Sequence, residues 1–319
     1  MDEFELIKNY FQKISNKNLG AKKLNDDVFF DKNKKLVVSV DTYNEKVHFP
    51  NFKYPNLVIK KIIRSSISDL IAKGVKPKYY FISGSGNKKS FTKSNLKSIS
   101  KALNQEQKKY NLKLSGGDTT NSDKVSFSIT SIGFSQSIVE RNKAKLNDDI
   151  YVTGNIGDSF VGLKIIKNNI KINFKLKKYF ISKFYCPNLP YNIYKHMHKF
   201  ANTSIDISDG LVSDMYKLIN DQFLSFEINV NKIPISKNLK VYIKKYNKVK
   251  NQFLFYGDDY QVLFTASKKK RLLIKSLAKK LNQKITIIGK INNGYKKNLI
   301  KLDNKAQNLT NFKGYSHRF

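Results

Sequence analysis

Aspartate carries the clearest chemical signal in this chain. The sequence holds 18 Asp but only 6 Glu. Base composition does not explain the imbalance, because both codon sets need one G and are otherwise open to A/T. Half of the aspartates (Asp26, Asp27, Asp41, Asp69, Asp118, Asp206, Asp209, Asp258 and Asp259) fall in short segments beside apolar runs. Short carboxylates at strand ends and helix starts are what a Mg²⁺ site requires, since Mg²⁺ takes hard oxygen ligands at about 2.1 Å.

Four segments hold most of these acids. In the first, Asn25-Asp26-Asp27 precedes Val28-Phe29-Phe30, and Ser39-Val40-Asp41-Thr42 ends the apolar run that follows. Ser66-Ile67-Ser68-Asp69-Leu70 sets an acid within an apolar helical face. Ser115-Gly116-Gly117-Asp118-Thr119-Thr120 follows a short apolar stretch, and paired glycines let backbone N–H groups approach phosphate oxygens. Ile205-Asp206-Ile207-Ser208-Asp209-Gly210-Leu211 runs into a helix whose N-terminal N–H groups suit a phosphate. Taken singly, each also fits a plain turn cap or a partly exposed acid.

Other chemistries are absent from the sequence. There is no G-x-x-x-x-G-K-[ST] phosphate loop, G-x-S-x-G elbow or H-E-x-x-H helix. Gly84-Ser85-Gly86 lacks the third glycine of a dinucleotide fingerprint and reads as a turn. Four histidines (His48, His196, His198, His317) and the single Cys186 make a poor zinc set, and one cysteine excludes an internal disulfide.

The elements that must position the acids read as intermixed strands and helices. Phe4, Ile7, Phe11 and Ile14 share one face of a helix expected over residues 3–15. Residues 36–40 read as a buried strand ending at Asp41. Pro55 opens and Gly74 closes a helix carrying Leu57, Ile59, Ile62, Ile63, Ile67 and Leu70. Tyr79–Ser83, Leu112–Leu114 and Val125–Ser131 read as strands, and 93–110 as a polar-faced helix. Lys143–Asp148 is a polar connector and the expected domain boundary. A second set follows, with a strand at Asp149–Gly154, a helix from about Asp158, and strands near 224–230, 260–266 and 284–291. Stretches rich in Lys and Asn, such as 167–178, read as solvated helix or loop. The fold class expected is α/β (α+β), as two domains in series, 1–142 and 143–319.

Charge is loud but less specific. Sixty Lys+Arg against 24 Asp+Glu give a formal net charge of +36. Only Arg64, Arg141, Arg271 and Arg318 are arginine, whereas nucleic-acid readers lean on Arg for bidentate contacts. The enriched residues (Lys, Asn, Ile, Phe, Tyr) have A/T-rich codons, so the charge reads mainly as composition, and no specific nucleic-acid partner is expected. With 40% hydrophobic and 13% aromatic residues, the chain can bury a core. No apolar run reaches the roughly 18–20 residues of a membrane helix. The acidic start, Met1-Asp2-Glu3-Phe4-Glu5, is unlike a signal peptide, so a cytoplasmic location is expected.

In their order along the chain the four segments are specific. They resemble the thiamine-monophosphate kinase family, within the aminoimidazole-ribonucleotide-synthetase-like superfamily of ATP-using enzymes. The match runs from Phe4-Glu5-Leu6-Ile7 to Gly314-Tyr315. It includes Asp27, Ser39-x-Asp41-Thr42 with His48-Phe49, Ser68-Asp69-Leu70, and Gly116-Gly117-Asp118-Thr119-Thr120. It continues through Asp149–Gly154, Gly157-Asp158-Ser159, Ile205-Asp206-x-Ser208-Asp209-Gly210-Leu211 and Gly257-x-Asp259-Tyr260.

The resemblance implies ATP-dependent phosphorylation of thiamine monophosphate to thiamine diphosphate. It implies several Mg²⁺ ions on Asp27, Ser39, Val40 (through its carbonyl), Asp41, Asp69, Asp118, Asp206 and Asp209. Gly117, Asp118, Arg141 and Ser208 would contact ATP, and His48, Asp258 and Tyr315 would line the thiamine-phosphate pocket. The fold implied pairs an N-terminal domain with a mixed sheet, which dimerises, with a C-terminal α/β domain that completes the site. Departures are confined to a few places. Lys22-Lys23-Leu24-Asn25 replaces a glycine-rich lead-in, Val40 a hydroxyl residue, Tyr256 a glycine, Asp258 a glutamate, and an arginine-bearing Pro motif is missing near Cys186-Pro187. The substrate phosphate is itself the nucleophile, so no general base is expected and transfer should be direct and in line. The rivals are a sister synthetase of the superfamily (aminoimidazole-ribonucleotide or selenophosphate) and a non-catalytic polyanion-binding protein.

Overall fold

The computed structural model describes residues 1–319 apart from 168, 169, 171, 249, 303, 304, 309–314 and 316–319. Gly314, His317 and Arg318 therefore lie outside the described residues, as does part of the 167–178 stretch.

Two sheets form. The first contains β1 (Phe29–Asp31), β2 (Leu36–Asn44), β3 (Pro77–Gly86), β4 (Lys113–Gly116), β5 (Thr119–Asn121) and β6 (Ser126–Phe134). Its order is β1-β2-β6-β3-β4, with β5 also on β3; β4 and β5 pair parallel to β3, and the other pairs are antiparallel. The second contains β7 (Asp149–Thr153), β8 (Thr203–Asp206), β9 (Leu224–Asn229), β10 (Val262–Ala266), β11 (Ile285–Asn293), β12 (Leu299–Leu302) and β13 (Lys305–Asn308). Its order is β13-β12-β9-β11-β7-β10-β8, antiparallel except for β12 on β9. The helices are α1 (Glu3–Leu6), α2 (Pro55–Ala72), α3 (Lys93–Tyr110), α4 (Asp158–Ile166), α5 (Phe174–Tyr185), α6 (Met197–Phe200), α7 (Leu211–Leu218), α8 (Lys237–Lys245) and α9 (Arg271–Lys280).

Helix α2 holds the two halves together. Pro55 starts it at a position where a missing N–H costs nothing, and Gly74 ends it at φ +76°. Fourteen of its 18 residues are buried, so it is a core helix rather than a surface one. It packs against β2 and β6 of the first sheet, β8 and β10 of the second, and α3 and α5. Ile59, Ile62, Ile63 and Ile67 share one apolar cluster with Tyr43, Ile129, Tyr151 and Phe264 from both sheets. A second cluster, around Val152, Ile205, Met215 and Phe226, lies within the C-terminal half. On the opposite face of the first sheet, Val40, Phe81 and Phe134 are exposed.

Several local expectations change. The helix expected over 3–15 reaches only Glu3–Leu6 before a wider turn at Ile7–Phe11; Ile7 lines the cleft between the two halves, whereas Phe11 and Ile14 face solvent. Gly84-Ser85-Gly86 is not a turn but the end of β3, paired with both β5 and β6. The glycines suit that strand because the rings of Phe91 and Phe127 fill the space where side chains would stand. β1, β8, β12 and β13 had no clear signal: each is three or four residues long, too short for a period to show.

Candidate active site

A cleft of about 1060 Å³ opens where the two halves meet. Of the residues singled out in the sequence, Asp27, Val40, Asp41, His48, Asp69, Arg141, Asp206, Ser208, Asp209, Asp258 and Tyr315 line it. They come from the turn before β1, β2 and the loop after it, α2, the segment between β6 and β7, β8 and the loop after it, and two C-terminal segments. No local stretch could have gathered them.

The acids converge because α2 lies between two strand ends. Alternation along β2 points Ser39, Asp41 and Tyr43 inward, where the Ser39 hydroxyl donates to Asp69 Oδ2 at 2.5 Å. One position earlier on α2, the Ser68 hydroxyl donates to Asp206 Oδ2 at the end of β8. One oxygen from each of Asp27, Asp69 and Asp206 falls within 4.8 Å of the other two. Burial pushes Asp41 up to about 6 and Asp206 up to about 7, the latter reinforced by the charges of Asp214 and Asp41. Asp69 is raised well above the carboxylate range by burial and by Asp41 and Asp206. Asp41 Oδ2 is buried and has no hydrogen-bond partner among the described residues. Three carboxylates within reach of one point, beside a buried Asp41 oxygen that lacks a partner among the described residues, match the hard, anionic oxygen set that a divalent cation neutralises.

Five lysines that sequence reasoning passed over border these acids or line the cleft. Lys73 at the C-cap of α2 bridges Asp26 and Asp27, at 2.7 Å to each. Lys217 on α7 pairs with Asp209 and with Asp214 at 3.1 Å. Burial alone would lower the Lys217 pKa, but Asp214 and Asp209 outweigh it and raise it. Lys61 on α2 pairs with Asp258 and lies 4.0 Å from the centre of the Phe184 ring. Burial pulls its pKa down, with Asp258 opposing. Lys164 and Lys167 lie on the cleft wall. The signal for Lys61, Lys73 and Lys217 was available: each interrupts an apolar helical face. In a chain with 56 lysines that interruption carries little weight until burial is known.

Arg141 pairs with Asp27, and its backbone N–H donates to Asp26 at 2.9 Å. Its Nε is buried without a hydrogen-bond partner among the described residues, and burial lowers its pKa against the pull of Asp26, Asp214, Asp206 and Asp209. The N-terminus of α7 is less open to phosphate than its sequence suggests, because Asp214 Oδ2 accepts from the N–H groups of Asp209 and Gly210 at 3.0 and 3.1 Å. The loop bearing Asp258 is strapped to this segment: Asp258 N–H donates to the Ser208 carbonyl and Tyr260 N–H to that of Ile207, both at 2.8 Å. Only glycine fits at 257, where a Cβ would stand 1.6 Å from the Ser208 carbonyl oxygen. Asp258 and Tyr260 adopt positive φ (68° and 48°), a strained backbone of the kind found at functional sites. Tyr260 hydroxyl donates to Asp258 Oδ1 at 3.0 Å. Phe160 and Tyr256 stack at 3.5 Å on the aromatic wall, with Tyr315 half exposed in the same cleft. His48 accepts the Asn44 N–H through Nδ1 at 2.9 Å.

Gly117 and Asp118 stand apart. They are exposed, between β4 and β5, and neither lines the cleft. Gly117 has φ +156°, and a Cβ there would come within 1.8 Å of the Ile82 carbonyl oxygen, so close strand packing already demands glycine. The Asp118 side chain accepts from the Thr119 N–H at 2.7 Å. Ser39 also lies behind the cleft wall rather than on it, reaching the site through Asp69.

Comparison with known proteins adds to this geometry. Residues 25–135 match the family described as AIR synthase related protein, N-terminal domain. Thiamine-monophosphate kinase of Buchnera aphidicola is 35% identical over 99% of this chain and 98% of its own length. That of Aquifex aeolicus is 33% identical over 85% of this chain and 87% of its own. The solved structure of AaThiL complexed with AMPPCP and TMP superposes with a TM-score of 0.85 at 29% identity, covering 99% of this chain and 97% of that one. The two-domain aminoimidazole-ribonucleotide-synthetase-like architecture is therefore present, and the chain belongs to the thiamine-monophosphate kinase family.

Proposed function

We propose that this chain transfers the γ-phosphoryl group of ATP to thiamine monophosphate, giving thiamine diphosphate and ADP. The observation that carries the reading is the convergence of Asp27, Asp69 and Asp206 at one end of a cleft whose other wall is aromatic. An anionic acceptor phosphate needs no general base, so the barrier is positioning and charge repulsion. Asp27, Asp41, Asp69, Asp206 and Asp209 would hold Mg²⁺, with Ser39 fixing Asp69 and the Val40 carbonyl and Asp118 completing the set. When bound, Mg²⁺ would neutralise the phosphate oxygens and orient them. Arg141, Ser208, Gly117 and Asp118 are assigned to ATP. For Arg141 this means giving up its pairing with Asp27. His48, Asp258 and Tyr315 are assigned to the thiamine phosphate. Lys61 holds Asp258 in place through their ion pair, while Tyr315 offers a ring face to a cationic heterocycle. The closed α2 seam behind the acids excludes water from that side.

In this reading 1–142 and 143–319 act as two lobes that together build the site, in the cytoplasm where ATP is available. The exposed face bearing Val40, Phe81 and Phe134 is proposed as a homodimer surface. Direct in-line transfer predicts no phosphoenzyme. Incubation with ATP, Mg²⁺ and thiamine monophosphate should yield thiamine diphosphate and ADP in equal amounts. Folded protein that makes neither would overturn the reading, and a kinetically competent phosphoprotein formed from ATP alone would overturn the in-line step.

A further inference from the structure

Lys73 is fully buried, and its ammonium reaches three oxygens: Asp26 Oδ1 at 2.7 Å, Asp27 Oδ2 at 2.7 Å and the Ser204 carbonyl at 2.8 Å. A lysine goes inside only when its charge is compensated and its three donors are used, and here both conditions are met. The partners come from the turn before β1 and from β8, so the ammonium ties together the two sides of the acid cluster. Asp27 is at the same time one of the three carboxylates that converge with Asp69 and Asp206. A positive charge that cannot leave for solvent thus sits one carboxylate away from where a divalent cation would bind.

We infer that Lys73 is a built-in counter-ion that weakens the divalent-cation affinity of the Asp27–Asp69–Asp206 cluster, acting as a positioning residue through Asp27. The inference rests on the Mg²⁺ part of the proposed function. Asp27 is shared: a divalent cation there meets an oxygen pair already polarised by the ammonium. Without a cation, Lys73 limits repulsion among acids that burial has pushed together. A charge at this distance, in a partly desolvated setting, alters cation affinity by about tenfold or more.

The test is Mn²⁺ titration of the full chain, followed by the electron paramagnetic resonance of free Mn²⁺, without nucleotide and at neutral pH. Lys73→Met should bind Mn²⁺ about tenfold more tightly than the native chain. Asp26→Asn, which leaves the Lys73 charge less compensated, should bind it several-fold more weakly, on the order of 3-fold or more. A purely structural role would weaken binding in both variants, so the opposite signs are diagnostic. If Lys73→Met loses its native circular dichroism, Lys73→Gln, which keeps a donor without the charge, takes its place with the same expected tightening. Unchanged or weaker Mn²⁺ affinity in whichever variant is folded would overturn the inference. A native chain that binds no Mn²⁺ would overturn it together with the metal assignment. Thiamine diphosphate formation by the same sample reports separately on the proposed function.

Discussion

Two sets of buried aspartates in this molecule are built on opposite principles. In the C-terminal half, Asp148 accepts from Asn202 Nδ2 (2.8 and 3.0 Å), Thr265 Oγ1 (2.8 Å) and the Lys145 N–H (3.0 Å). Asp158 accepts from Ser236 Oγ and Tyr179 hydroxyl, both at 2.7 Å, and Asp149 takes a two-pronged ion pair from Arg271. These carboxylates have neutral donors or a dedicated cation for each oxygen. In the cleft, Asp41, Asp69 and Asp206 face one another, and an Asp41 oxygen has no hydrogen-bond partner among the described residues. Burial is common to both sets, so burial alone does not mark a functional acid. What separates them is whether the neighbours complete the carboxylate or compete with it. Saturated acids tie strands and loops together; unsaturated ones keep a demand for positive charge that a ligand can meet.

The largest effect expected from breaking this contrast is on turnover. Asp206→Asn should lower kcat by about a thousandfold or more while leaving the thermal midpoint unchanged or raised, because it removes a repelling charge from the interior. A steady-state assay beside a melting curve checks it, and near-native turnover would remove Asp206 from the site. Asp209→Asn and Asp118→Asn are expected to abolish turnover too. For Asp118, outside the cleft lining, the result decides whether it acts with the cleft acids at all. Asp148→Ala should do the reverse of Asp206→Asn. It strands three donors and should cost about 2–4 kcal/mol of stability by urea unfolding, with kcat per folded molecule nearly unchanged.

A subtler separation lies in pH. Asp41 and Asp206, raised to about 6 and about 7, bind protons in the folded chain that the unfolded chain has already released. Their contribution to stability is therefore full below the ordinary aspartate range and is lost as pH rises through 6 to 7. In EDTA the melting temperature should fall between about pH 5 and pH 8, and added Mg²⁺ should restore more of it at the higher pH. Equal Mg²⁺ stabilisation at both ends would contradict metal binding by these acids. The smallest effect is expected on the aromatic wall, where Tyr315→Leu should raise KM for thiamine monophosphate about 3- to 10-fold with little change in kcat.

Much of the site was legible before any coordinates. The order of the acidic segments pointed to a family, and residues 36–40 read as a buried strand ending at Asp41. Lys61, Lys73 and Lys217 were not legible. Their role depends on burial, and in a chain with 56 lysines an interrupted apolar face is too weak a cue to single these three out. The same holds for Asp214, whose capping of Asp209 and Gly210 looks like any polar helix residue until the turn is built. Gly84-Ser85-Gly86 misled because glycine pairs usually bend a chain, whereas here Phe91 and Phe127 occupy the missing side chains and the strand continues.

Sequence alone determined which residue types are present, their order, and the local periods that make β2, α2 and α3; those follow from short-range sterics and from apolar spacing. The tertiary structure decided which acids meet. Asp27, Asp69 and Asp206 are up to 179 positions apart, and only the packing of α2 between two sheets brings an oxygen of each within 4.8 Å of the others. Electrostatic demand of that kind is a property of distances and burial, neither of which a linear chain contains.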